Sequence, residues 1–134
     1  MPSRERVNAF VAAVRQGRYV EAIADFYAPD ATMRENLGAP RGGRDALIAH
    51  EKAVLGAVKR IVTIKADPVM VDGDRVVIGW AFEMTGQDGV VRGMTELALQ
   101  TWRGDEIAEE QFFYDPAQLQ TTVSAAVVEQ SEAL

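Results

Sequence analysis

Three glycine-marked turns in the second half of this 134-residue chain restrict its fold more than any other feature. They are Asp72-Gly73-Asp74, Gln87-Asp88-Gly89 and Arg103-Gly104-Asp105-Glu106, each a short polar site suited to a tight chain reversal. Between and around them lie runs rich in β-branched and aromatic residues, roughly 58–71, 75–84, 91–102 and 107–114, which read as strands. Strands joined by such short turns pair antiparallel, so the sequence predicts a four-strand meander. Within the second run Val76, Ile78, Trp80, Phe82 and Met84 alternate with Val77, Gly79, Ala81 and Glu83. One face of that strand must therefore pack deeply.

The first half is helical in character. Ser3 is placed to cap a helix whose Val7, Phe10, Val11 and Val14 share one face, with Gly17 at its end. A second helix brings Tyr19, Ala22, Ile23, Phe26 and Tyr27 together, and Pro29 is expected to end it. Ala31-Thr32-Met33-Arg34-Glu35 follows as a short strand, and Gly42-Gly43 turns into a third helix over about 44–55. Asp115-Pro116 opens a short helix through Leu119, and residues 120–134 read as either helix or disordered terminus. The order α-α-β-α-β-β-β-β predicts a single α+β domain over 1–119 followed by a C-terminal tail, 120–134. Its three N-terminal-half helices cover one face of a curved, mainly antiparallel sheet. The last two strands carry apolar residues on both sides, Leu97 and Leu99 against Met94 and Ala98, Ile107 and Phe113 against Phe112 and Tyr114. A second subunit on the outer sheet face, giving a homodimer, is the expected cause.

Charge and composition narrow the function. A net charge of −6 with no basic run argues against nucleic acid as partner. With no cysteine, disulfides, thiol nucleophiles and sulfur-ligated metals are excluded, and one histidine among scattered carboxylates supports no metal site. No cofactor is expected. No segment approaches the length of a membrane span, and MPSRERVNAF lacks the apolar core of a signal peptide, so the cytoplasm is the expected compartment.

Glu35 is the residue that most needs an explanation. Alternation along 31–35 places it on the same side as Ala31 and Met33. A carboxylate among apolar neighbours requires a partner, such as Arg41 or Arg44 close by in sequence, or takes a raised pKa suited to a general base.

The run EAIADFYAPDATMREN, the G-R-D-A-L helix start and the closing I-A-E-E-Q-F-F-Y-D-P-A-Q-L together resemble the SnoaL-like and ketosteroid-isomerase-like branch of the nuclear transport factor 2 fold. The resemblance covers about residues 3–119. It implies a cone-shaped domain with a deep apolar pocket between helices and sheet, commonly dimeric through the outer sheet face. It also implies a family that includes isomerases, polyketide cyclases and non-catalytic association domains. Glu35 falls where ketosteroid isomerases place their general base. The positions of the two oxyanion donors of those isomerases hold Phe10 and Ala98 here, so steroid isomerisation is not expected.

By the same comparison Glu96, Glu110, Phe112 and Tyr114 point inward, and Trp80, Phe82 and Met84 form a wall. Phe10, Tyr27, Met33, His50 and Ala98 complete the expected lining. Bland alternatives stand beside these readings: solvated or interface carboxylates for Glu96 and Glu110, an exposed or capping role for His50, plain core for Trp80 and Phe82. Two functions follow. One is acid–base chemistry on a small apolar carbonyl compound, with Glu35 as base and Tyr114 or a protonated carboxylic acid holding the enolate. The other is binding or association without chemistry.

Overall fold

The computed structural model describes residues 1–119; the expectation for the tail lies outside the described residues. Helix α1, Arg4–Arg15, begins where expected because the Ser3 hydroxyl accepts a hydrogen bond from the Arg6 amide at 3.1 Å. Its periodic residues Val7, Phe10 and Val14 are buried. Helix α2, Tyr19–Phe26, buries Ala22, Ile23 and Phe26.

Here the chain departs from the sequence reading. Tyr27 adopts an extended backbone, φ −96° and ψ 142°, and starts strand β1, Tyr27–Glu35, rather than ending the helix. Pro29 thus does not stop α2; it lies inside β1, where pairing is irregular between Tyr27 and Thr32. An irregular stretch tolerates a residue without an amide hydrogen. A two-residue strand β2, Arg41–Gly42, was not foreseen; it pairs antiparallel with β1 at Thr32 and Met33. Helix α3, Arg44–Ala57, follows.

Strands β3, Arg60–Asp72, β4, Arg75–Thr85, β5, Val91–Arg103, and β6, Glu106–Phe113, form the predicted meander. A short 3-10 helix, Pro116–Leu119, closes the described chain. The six strands lie in the order β2-β1-β6-β5-β4-β3, and only the β1·β6 pair is parallel. The fold is α+β as expected: three helices on a six-stranded, mainly antiparallel sheet.

The core is centred on Phe10. Its ring meets Phe26, Tyr27, Trp80 and Trp102 edge to face, with centroids 5.5, 6.1, 6.4 and 6.3 Å away. Val76, Ile78, Ala98 and Ile107 supply the sheet side of the same cluster. On the opposite side of β4, Gly79 is obligatory: a Cβ there would lie 2.5 Å from the Asp67 carbonyl oxygen, at an irregularity of β3. Among the described residues no helix is long and apolar enough to cross a membrane.

Candidate functional site

Register decides which side chains face the helices. Across the sheet, Val76, Gln100, Glu110 and Met33 form one row; Ile78, Ala98, Phe112 and Glu35 form the next; Trp80 and Glu96 begin a third. Every member has the same facing parity, so the sheet presents three carboxylates to one side.

That side lines a cavity of about 670 Å³, large enough for a small organic molecule. The candidates Phe10, Tyr27, Met33, Glu35, His50 and Trp80 line it, as do Phe82, Met84, Glu96, Glu110, Phe112 and Tyr114. Ala98 does not. It is fully buried, a methyl group flanked by Ile78 and Phe112 on the neighbouring strands, and belongs to the core beneath the cavity.

Glu35 departs from the buried carboxylate that alternation suggested. It has the inward parity but is exposed, because it ends β1 where the covering layer stops. Neither suggested arginine forms an ion pair with it among the described residues. Arg44 instead donates to the Tyr27 carbonyl at 3.3 Å. Tyr114 stands close by: burial raises its hydroxyl pKa, and the charge of Glu35 then that of Glu96 add to the effect.

Glu96 occupies the setting predicted for Glu35. Desolvation above all, with repulsion from Glu110, Glu35 and Glu51 adding to it, pushes its pKa up to about 8. At neutral pH it is mainly a carboxylic acid, a donor rather than an acceptor. Glu110 is 2% exposed and sits in a polar chain. Trp102 Nε1 donates to Gln100 Oε1 at 2.9 Å, which leaves the Gln100 amide nitrogen to donate to Glu110 Oε2 at 2.7 Å. The Tyr27 hydroxyl donates to Glu110 Oε1. Burial nevertheless lifts Glu110 to about 7, the two donors pulling the other way.

Several contributing residues were not singled out in the sequence. Glu51 lines the cavity from α3, its pKa raised by desolvation. Its signal was available, since it follows Leu47 by four residues on the apolar face. Gln100, fully buried, interrupts an otherwise apolar inward parity between Ala98 and Trp102, the same kind of clue. Tyr19, also lining the cavity, donates to or accepts from Thr63 Oγ1 at 2.8 Å. Among the described residues no three His, Asp or Glu side chains converge as a metal-ligand set.

The structure is thus a small α+β domain with a cavity lined by helices and sheet. The chain belongs to the SnoaL-like family, as its resemblance implied: the SnoaL-like domain model matches residues 7–110. No curated protein matches the sequence. Among solved structures, a candidate polyketide cyclase from Pseudomonas putida superposes with TM-score 0.76 at 19% identity, over 92% of this chain and 99% of its own. TerC, co-crystallised with polyporic acid, gives 0.73 at 20% identity, over 86% and 92%. A Catenulispora acidiphila protein with a ketosteroid isomerase-like fold, in complex with trimethylamine, gives 0.71 at 21%, over 98% and 95%. At these identities the likeness concerns the fold.

Proposed function

We propose that the cavity binds a small, largely apolar carbonyl compound and moves a proton on it. Glu35 is the base, Glu96 the acid, and Tyr114 a further donor. The observation that carries this is the placement of Glu35, Glu96 and Tyr114 within electrostatic reach of one another at a single cavity. One carboxylate is exposed to water and the other is kept protonated by burial. Carboxyl groups held in contrasting environments divide base and acid roles between them.

In the reaction, Glu35 takes a proton from the carbon next to the carbonyl, and the electron pair moves onto the carbonyl oxygen. The protonated Glu96, with Tyr114, donates hydrogen bonds to that oxygen. Return of the proton from Glu35 to the same or another carbon completes an exchange or an isomerisation. The family match supports the pocket; relatives named as polyketide cyclases support carbonyl chemistry in general terms.

Deuterium uptake by 2-tetralone in buffered D2O, followed by NMR, tests the reading. Wild type is expected to exceed the buffer rate, and Glu35→Gln to lower the enzymatic rate at least a hundredfold. Uptake that is unchanged in Glu35→Gln would overturn the assignment of Glu35.

The protein is further proposed to be a homodimer through the outer sheet face. Leu97 and Phe113 lie opposite each other there and are 48% and 41% exposed, with Met70 at 54%, an apolar patch of the kind that a partner covers. Sedimentation equilibrium is expected to give about 29 kDa, twice the 14.7 kDa chain mass. Phe113→Asp should reduce this to the single-chain mass. A wild-type mass of one chain at micromolar concentration would exclude the dimer.

A further inference from the structure

Three carboxylates reach the cavity from three elements, Glu51 of α3, Glu96 of β5 and Glu110 of β6. None is in an ion pair among the described residues. The cationic side chains of the lining are engaged or placed elsewhere: Arg92 pairs with Asp88 at 3.2 Å, and Arg41 lies with Tyr114 and Glu35 at the exposed end of β1. His50, the remaining basic residue of the lining, neighbours Glu51 on α3.

Aromatic rings line the same cavity as these carboxylates. Trp80, directly opposite Glu96 in register, stacks on Phe82 with centroids 5.8 Å apart and planes 26° apart. Tyr19 meets Phe82 edge to face at 6.2 Å. An aromatic face attracts a cation through its quadrupole, and a carboxylate without a counter-charge in an apolar wall attracts it more strongly. An anionic ligand would be repelled by whichever of the three is ionised and would oppose ionisation of the others.

From this convergence we infer that the cavity selects compounds carrying a positively charged amine on an apolar body. The charged head lies among Glu51, Glu96 and Glu110, and the hydrocarbon packs on Trp80 and Phe82. The inference takes the cavity as the ligand site, as the proposed function does, but requires no proton transfer to or from the ligand. A second consequence follows from burial, which holds Glu96 and Glu110 largely or partly protonated near neutral pH. A cation placed beside them favours their charged forms, so binding expels protons into the buffer.

Isothermal titration calorimetry at pH 7 provides the test, with benzyltrimethylammonium, benzyl alcohol and phenylacetate as probes, each in phosphate and in Tris. The cation is expected to bind at least tenfold more tightly than the alcohol, and phenylacetate more weakly than either. Heats for the cation alone should differ between the buffers, reporting proton release. Glu96→Gln should bring cation and alcohol to within about threefold while alcohol binding, which reports an intact cavity, is retained. Equal affinities in wild type, tighter phenylacetate, or no binding of the cation at millimolar concentration would each overturn the inference. In wild type, absence of a cation preference with exchange on 2-tetralone present removes this inference alone, whereas a cation preference without exchange removes only the proton-transfer reading.

Discussion

Raising the pH from 5 to 8 is expected to lower the stability of this protein by several kcal/mol, and Glu96→Gln to remove most of the loss above pH 7. Both Glu96 and Glu110 have folded-state pKa values, about 8 and about 7, above the ordinary carboxyl value of 4.5 that the unfolded chain retains. A raised carboxyl pKa means that the folded state holds the proton more tightly. The stabilisation is therefore complete below about pH 4.5 and disappears as pH rises through 7 and then 8. Each unit of difference corresponds to ~1.4 kcal/mol. Because the two groups repel each other and Glu96 is only partly buried, a combined effect on the order of 4 kcal/mol is the reasonable expectation. Urea titrations at half-unit pH steps measure it directly.

The variants separate the two groups. Glu96→Gln cannot ionise and should flatten the curve between pH 7 and 8 and roughly halve its slope between 5 and 7. Glu110→Gln should roughly halve the slope between 5 and 7 and leave the fall from 7 to 8 in place, and it can keep both contacts: its oxygen accepts from Gln100 while its amide donates to the Tyr27 oxygen. Stability that rises steadily from pH 5 to 8 in wild type would contradict the buried-acid description of the cavity.

The second large effect is expected for Phe10→Ala, a loss of about 3 to 5 kcal/mol. Phe10 is 3% exposed and touches four other aromatic rings, contributed by α2, β1, β4 and β5. Truncation removes the transfer energy of the ring, leaves a void that rigid neighbours fill poorly, and forfeits edge-to-face contacts worth ~0.5–1.5 kcal/mol each. It also opens the cavity wall, since Phe10 is part of the lining. Phe10→Leu, which fills most of the volume, should recover more than half of the loss. Chemical denaturation of both variants at one pH measures this, and a deficit below 1 kcal/mol for Phe10→Ala would refute the central role given to the ring.

The position of Phe10 illustrates what was readable in advance. Its burial follows from the spacing of Val7, Phe10 and Val14 behind a Ser3 cap, all local information. The inward row Val76, Ile78, Trp80 was equally plain, because alternation along one strand needs no knowledge of its neighbours. What was not legible depended on partners distant in sequence. Tyr27 fits the apolar face of α2 by periodicity, yet pairing with Ile107 draws it into a strand. Two residues, Arg41 and Gly42, carry too little pattern to announce β2; only Thr32 and Met33 across the ladder make them a strand.

The site divided along the same line. Parity identified Glu35 as inward facing, but parity says nothing about depth along the strand, and depth decides exposure. For Glu96 the sequence allows both an inward and a solvated position, and only the combined surroundings of Trp80, Glu110 and Glu51 distinguish a half-buried acid from a solvated one. Gln100 acquires its meaning from Trp102 and Glu110 jointly, a relation between two strands that no single window of sequence contains.

The parallel pairing of β1 with β6 has a consequence for the order of events in folding. The meander from β3 to β6 closes through neighbouring segments, whereas β1 must wait for a partner that begins some seventy residues later, at Glu106. Loops of that length close slowly, and a chain emerging from the ribosome cannot close this one until nearly all of the described sequence is out. Glu35 and Met33 meet Phe112 and Glu110 only at that step. The wall that joins the exposed carboxylate to the buried ones is therefore assembled last, and an intermediate holding the complete meander would still lack a closed binding cavity.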